Sequence, residues 1–163
     1  MYKQHPLSLA YLTVFGCPPV ENVRIAAACG YDLVSVRLIA PHGLELAHPI
    51  VGNQKLIREI NAAASDTGMS FYDGEVFTLL PETDIKTWLP VIETAGEFAM
   101  PVMQITCEDP DLSRAADNLG RIADAASQYG IKMAIEFMRW RSTANIHDAS
   151  RLASATGRNN VGL

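Results

Sequence analysis

The sequence is poor in the features that mark several common protein classes. Its 163 residues contain three cysteines, Cys17, Cys29 and Cys107, widely spaced and without a Cys-x-x-Cys pair. An odd, scattered set excludes a disulfide framework or a zinc knuckle and reads as buried thiols in a reducing compartment. No Lys/Arg cluster occurs, and the net charge is −5. Such a chain has nothing with which to displace the counterions condensed on a phosphate backbone, so nucleic acid is excluded as a partner. The apolar runs are broken by charge or glycine well short of the ~20 residues of a membrane span. The N-terminus, Met1-Tyr-Lys-Gln-His-Pro6, lacks a basic n-region and a small-residue cleavage site. A soluble, cytoplasmic protein with no membrane partner is expected. Neither Gly-x-Gly-x-x-Gly nor Gly-x-x-x-x-Gly-Lys-Ser/Thr follows any strand-like run, so no phosphate-cradling loop is expected.

What is present is a repeat. At 48% hydrophobic and 19% charged, residues 1–163 suit one globular domain. Short β-branched or apolar runs at 7–14, 32–38, 69–77, 102–107 and 132–138 each precede a stretch with apolar residues at spacings of 3 and 4, and a sixth run begins at Asn160-Val-Gly-Leu163. Their separation of roughly 30 residues is that of a βαβ unit. The fourth helix is the clearest, with Leu112, Ala116, Leu119, Ala123 and Ala126 on one stripe behind a capping Asp111 and a closing Gly130. Gly30, Gly68 and Gly157 close the first, second and fifth helices, and the third, with Ile85, Trp88, Leu89, Ile92 and Ala99 inward, runs to Met100-Pro101.

This order predicts a parallel sheet with right-handed crossovers, either an open doubly wound sheet or a closed barrel. The fifth strand decides between them. A doubly wound central strand is apolar throughout, whereas here Lys132, Ala134 and Glu136 alternate with Met133, Ile135 and Phe137. The first set suits a barrel interior and the second the helix layer. The fold class is therefore α/β, a partial (β/α)8 barrel of about five βα units plus the start of strand six.

Polar residues at the C-terminal strand ends of such a barrel converge on one mouth. Those candidates are Thr13, Arg37, Glu75, Gln104 or Thr106, and Glu136. Glu136 lies in Ala134-Ile-Glu-Phe-Met138, where a carboxylate must be paired, protonated or metal-bound to offset desolvation. It is the candidate catalytic residue and metal ligand, against the alternative of a structural ion pair. Glu75 has Asp73 two residues before it and Gly74 between, which suggests a bulge or close backbone approach that redirects the side chain. Arg37 either clamps a substrate carboxylate or phosphate or neutralises Glu75. Arg37, Glu75 and Gln104 form the expected substrate-binding set. The segment Pro41-His-Gly-Leu-Glu-Leu-Ala-His-Pro49 lacks His-Glu-x-x-His spacing and reads as a long loop of the lid kind rather than a metal site. His5 and His147 read as surface residues, Trp140 as a pocket wall or a residue packed under the fifth helix, and Met100, Met103 and Met133 as core.

The runs Leu7-Ser-Leu-Ala-Tyr-Leu-Thr-Val14, Ala26-Ala-Ala-Cys-Gly-Tyr-Asp-Leu-Val-Ser-Val-Arg-Leu38, Ala134-Ile-Glu-Phe-Met138 and Asn160-Val-Gly-Leu163, in that order and spacing, resemble the xylose isomerase-like barrels, the sugar phosphate isomerase/epimerase superfamily. The resemblance spans the whole chain. It implies a divalent metal (Mn, Mg, Co or Zn) held by acidic and histidine ligands on strands five to eight, of which only the first, Glu136, has a counterpart here. It also implies an isomerase or epimerase acting on a carbohydrate or cyclitol through an enediolate, or a dehydratase of the inosose or 3-dehydroshikimate type. Family barrels need about 250 residues. The chain is accordingly expected to be an N-terminal portion, and to hold no metal by itself. An expectation of another class is a non-catalytic partial barrel that forms a homo-oligomer through its open sheet edges.

Overall fold

A computed structural model describes residues 5–40 and 45–163. Six parallel strands lie in the order β1-β2-β3-β4-β5-β6, each next to its predecessor in sequence. They are β1 (Ser8–Leu9), β2 (Leu33–Arg37), β3 (Ser70–Leu79), β4 (Val102–Cys107), β5 (Lys132–Ile135) and β6 (Val161–Gly162). The helices between them are α1 (Pro19–Ala28), α2 (Gln54–Thr67), α3 (Ile85–Glu97), α4 (Leu112–Ser127) and α5 (Ile146–Thr156). Strictly sequential parallel order is that of a barrel wall, since a doubly wound sheet reverses its order at a switch point.

Local chemistry fixes the helix ends. Asn53, Asp84, Asp111 and Asn145 each accept hydrogen bonds from backbone N–H groups of the first turn, which satisfies donors that the helix itself leaves free. Gly68 and Gly157 terminate α2 and α5 in the left-handed conformation, as their sequence positions suggested. The third helix stops earlier than its apolar pattern implied. It ends at Glu97, with Ala99 left-handed at φ 50 and solvent-exposed rather than inward. Leu89 and Leu112 also point outward, at 41% and 43% exposure. The inward face of α3 is instead Trp88, Val91, Ile92 and Ala95.

The core lies between the helices and one face of the sheet. Met103, Ile105, Met133 and Ile135 point into it and are buried, as are Val34, Val36 and Phe77. Phe77 stacks on Trp88 with ring centroids 5.4 Å apart, and Phe71 on Phe98 at 4.8 Å. Each such ring removes enough apolar surface from water to stabilise the fold by about 1.5–3 kcal/mol. The opposite face is uncovered: Tyr72, Lys132 and Leu163 are exposed, and Ala134 is half-buried. The alternation in the fifth strand thus divides the two faces as its pattern predicted, except that Phe137, just past the strand, is exposed.

Strands one and five are shorter than their apolar runs. After Leu9 the chain turns into a short 3-10 helix (Tyr11–Val14), because the Tyr11 N–H donates to Glu75 Oε1 at 2.7 Å instead of to a neighbouring strand. Strand five ends at Ile135, although the Glu136 N–H still reaches Ile105 O at 2.8 Å. Beyond that point β6 offers no partner, since it pairs only with Met133 and Ala134. The bulge foreseen at Gly74 is present. The register shifts there on both sides of β3, and a Cβ on Gly74 would lie 3.2 Å from Leu38 Cδ1.

Of the cysteines, Cys107 is buried, Cys17 half-buried and Cys29 exposed. Cys29 departs from the expectation of a core thiol because it caps α1 rather than facing the sheet. Met100, Met103 and Met133 are core. No helix of the described residues is long and apolar enough to cross a membrane.

Candidate active site

The C-terminal ends of the strands carry a polar cluster on the open face. Arg37 and Glu75 are paired in the β2–β3 register, which sets their side chains next to each other. Arg37 Nη2 donates to Glu75 Oε2 at 3.3 Å, and both side chains are about nine-tenths buried. The guanidinium also lies over the Tyr11 ring, 4.7 Å from its centroid. Both oxygens of Glu75 are therefore engaged, one by the Tyr11 N–H and one by Arg37. Of the two readings open for Arg37, the geometry realises neutralisation of Glu75.

Glu136 follows β5 directly and is half-buried. No hydrogen bond reaches its carboxylate from the described residues. Burial pushes its carboxyl above the ordinary carboxylate range, and the negative charge of Glu75 adds to the shift. It lines a recess of about 250 Å³ together with Tyr72, Asp73, Gln104, Ala134 and Leu163. Gln104 pairs with Ala134 across the β4–β5 register, so its amide and the Glu136 carboxylate share one wall. Burial likewise raises the Asp73 carboxyl, the Ser35 hydroxyl partly offsets this, and Glu75 adds to the rise. Asp73 Oδ1 is buried and has no hydrogen-bond partner among the described residues.

Other candidates fall away from this cluster. Thr13 sits in the 3-10 helix, exposed. Thr106 is fully buried against Thr78 Oγ1 and Phe77 O. His5 and His147 are on the surface. Trp140 is 77% exposed on the loop after Glu136, not packed under α5. The 41–49 loop is described only from Glu45 onward, and its reading as a lid lies in part outside the described residues. Sequence reasoning missed Tyr11 and Asn22. Asn22 had a signal, since it falls on the inward stripe Pro19, Asn22, Val23, Ala26 of α1, where a polar residue is out of pattern.

A divalent ion needs several donors, and among the described residues no three His, Cys, Asp or Glu side chains converge. Glu75 is already committed to Arg37 and Tyr11. Glu136 alone does not fit a metal centre.

No protein-family model matches the sequence, and no curated protein matches it. Solved structures do. A xylose isomerase-like TIM barrel protein from Mycobacterium smegmatis, in complex with magnesium, superposes at TM-score 0.73 with 15% identity, over 100% of this chain and 65% of its own. D-psicose 3-epimerase, in the presence of D-fructose, gives 0.74 at 14% identity over 96% and 62%. The probable 3-DHS dehydratase AsbF from Bacillus anthracis gives 0.74 at 12% over 96% and 61%. The chain thus spans less than two thirds of the length of these structures, and across its own length it has the fold of the xylose isomerase-like TIM barrels.

Proposed function

We propose that this chain supplies the first six strands of a carbohydrate isomerase or epimerase barrel, with Glu136 as the carboxylate that moves a proton next to a substrate carbonyl. The observation that carries this reading is the placement of Glu136. It stands at the C-terminal end of β5 on the open face, without a pairing cation among the described residues, and burial holds its carboxyl above the usual range. A carboxylate of raised pKa is a stronger base than one in water, which suits it to take a proton from a substrate carbon. Gln104, on the adjacent strand, offers a donor and an acceptor to substrate hydroxyls. Arg37 and Glu75 support the site by holding the 3-10 helix against the mouth.

A complete site needs more than these residues. A divalent metal, if the complete barrel holds one, would draw its ligands from further barrel strands. A dehydratase is the second reading, favoured by the equal likeness to a dehydratase and to an epimerase. Both begin with removal of a proton next to a carbonyl and differ in whether a hydroxyl then leaves.

Incubating the full-length protein with a panel of ketoses, inososes and 3-dehydroshikimate, followed by product analysis, tests the proposal. Epimeric or isomeric sugars are the expected products. Loss of water from an inosose or from dehydroshikimate would favour the second reading. No turnover of any member, combined with a stable homo-oligomer in solution, would overturn both in favour of a non-catalytic barrel joined through its edges.

A further inference from the structure

A small recess lies between the 3-10 helix, α1 and the end of β2, away from the Glu136 wall. Its sides are formed by Tyr11, Cys17, Asn22, Arg37, Leu46 and His48, and its free volume is about 10 Å³, the space of about one water oxygen. Two of these residues bring orphaned polar atoms. Asn22 is 1% exposed, and its Nδ2 donates to Ser35 O at 3.0 Å, which fixes the amide and leaves Oδ1 as an acceptor without a donor among the described residues. Arg37 is 7% exposed, and its Nη2 is taken by Glu75, while Nε–H has no acceptor among the described residues.

One unmet acceptor and one unmet donor on a recess of single-oxygen size select their ligand by chemistry. A carboxylate or phosphate oxygen would satisfy Arg37 but repel Asn22 Oδ1. An ammonium would do the reverse. A hydroxyl or water oxygen both accepts and donates at a single atom, which is what a space of this size admits. We propose that this recess is a hydroxyl-binding site in which one oxygen, from water or from the end of a polyol, accepts from Arg37 Nε and donates to Asn22 Oδ1.

The bridge has a consequence at the mouth. With this bridge Arg37 is held from three sides, by the Tyr11 ring, by Glu75 and through Nε. This holds whichever reaction the barrel carries.

Crystal structures of the protein alone and soaked in erythritol test the proposal. The expected result is one oxygen peak within hydrogen-bond distance of both Arg37 Nε and Asn22 Oδ1. An isolated peak in both crystals identifies water as the source, and a peak continuous with carbon density in the soak identifies an alcohol hydroxyl. An empty recess, a direct Asn22–Arg37 hydrogen bond, or a peak bonded to only one of the two would overturn it. Asn22→Leu, with the same branching and number of side-chain heavy atoms but without the acceptor, should lose the peak, and its retention would also overturn the assignment. Should that variant fail to fold, the wild-type crystals still decide.

Discussion

Glu75 and Glu136 are two carboxylates in one cluster with opposite surroundings. The first accepts from a backbone N–H and a guanidinium. The second has neither among the described residues, and burial together with the charge of the first raises its carboxyl. Asp73 shares that condition, with one oxygen buried and unpartnered among the described residues. A carboxyl raised in the folded state contributes stability that is complete below the ordinary carboxylate range and is lost as pH rises through its folded value. Above that value the ionised Asp73 therefore destabilises the fold. Asp73→Asn keeps a polar group beside Ser35 and removes the charge, so it should raise the melting temperature at pH 7, by about 2–4 °C for each kcal/mol gained. The gain should shrink as the pH is lowered to 4, because the wild-type carboxyl takes up its proton above the ordinary carboxylate range. Thermal melts at both pH values check this, and a lower melting temperature for the variant at pH 7 would mean that the carboxylate is well partnered.

At the scale of elements, the end of α3 offers a paired test. Ala99 holds a left-handed conformation that costs an L-residue about 1–2 kcal/mol. Ala99→Gly should therefore stabilise the protein by about 1 kcal/mol in urea denaturation. Gly96, one turn earlier, packs directly beneath the Tyr129 ring, and a Cβ there would collide with ring atoms near the Tyr129 backbone. Gly96→Ala should destabilise, even though alanine is the better helix former. Equal effects of one sign would contradict this account of the helix end. These two residues also show what the sequence conceals. Periodicity and capping residues made the five helices, their order and the barrel class legible, because they reflect local backbone needs and one buried face. The 3-10 helix at Tyr11 depends on a partner far along the chain. The Tyr11 N–H is bound by Glu75, 64 residues away, and no local pattern encodes that bond. In the site, Glu136 stood out as a carboxylate in an apolar strand. The division of labour between Arg37 and Glu75 needed the β2–β3 register, and Asn22 needed only a closer look at the α1 stripe.

At the scale of the molecule, one face of the sheet is packed under five helices while the other presents Tyr72, Lys132 and Leu163 to solvent. The chain matches its structural neighbours over nearly all of its own length but less than two thirds of theirs. A barrel interior completed by further strands would cover this face, deepen the burial of Glu136 and supply the remaining groups of the site. The proposed chemistry thus resides in the closed barrel, with Glu136 as this chain's contribution. Its direct measurement is solvent deuterium incorporation at the carbon next to the carbonyl of a turned-over sugar or cyclitol, followed by NMR, for full-length wild type and Glu136→Gln. The account predicts exchange by the wild type and a loss of about 10²–10⁴-fold in the variant with its fold intact. Undiminished exchange by Glu136→Gln would contradict it.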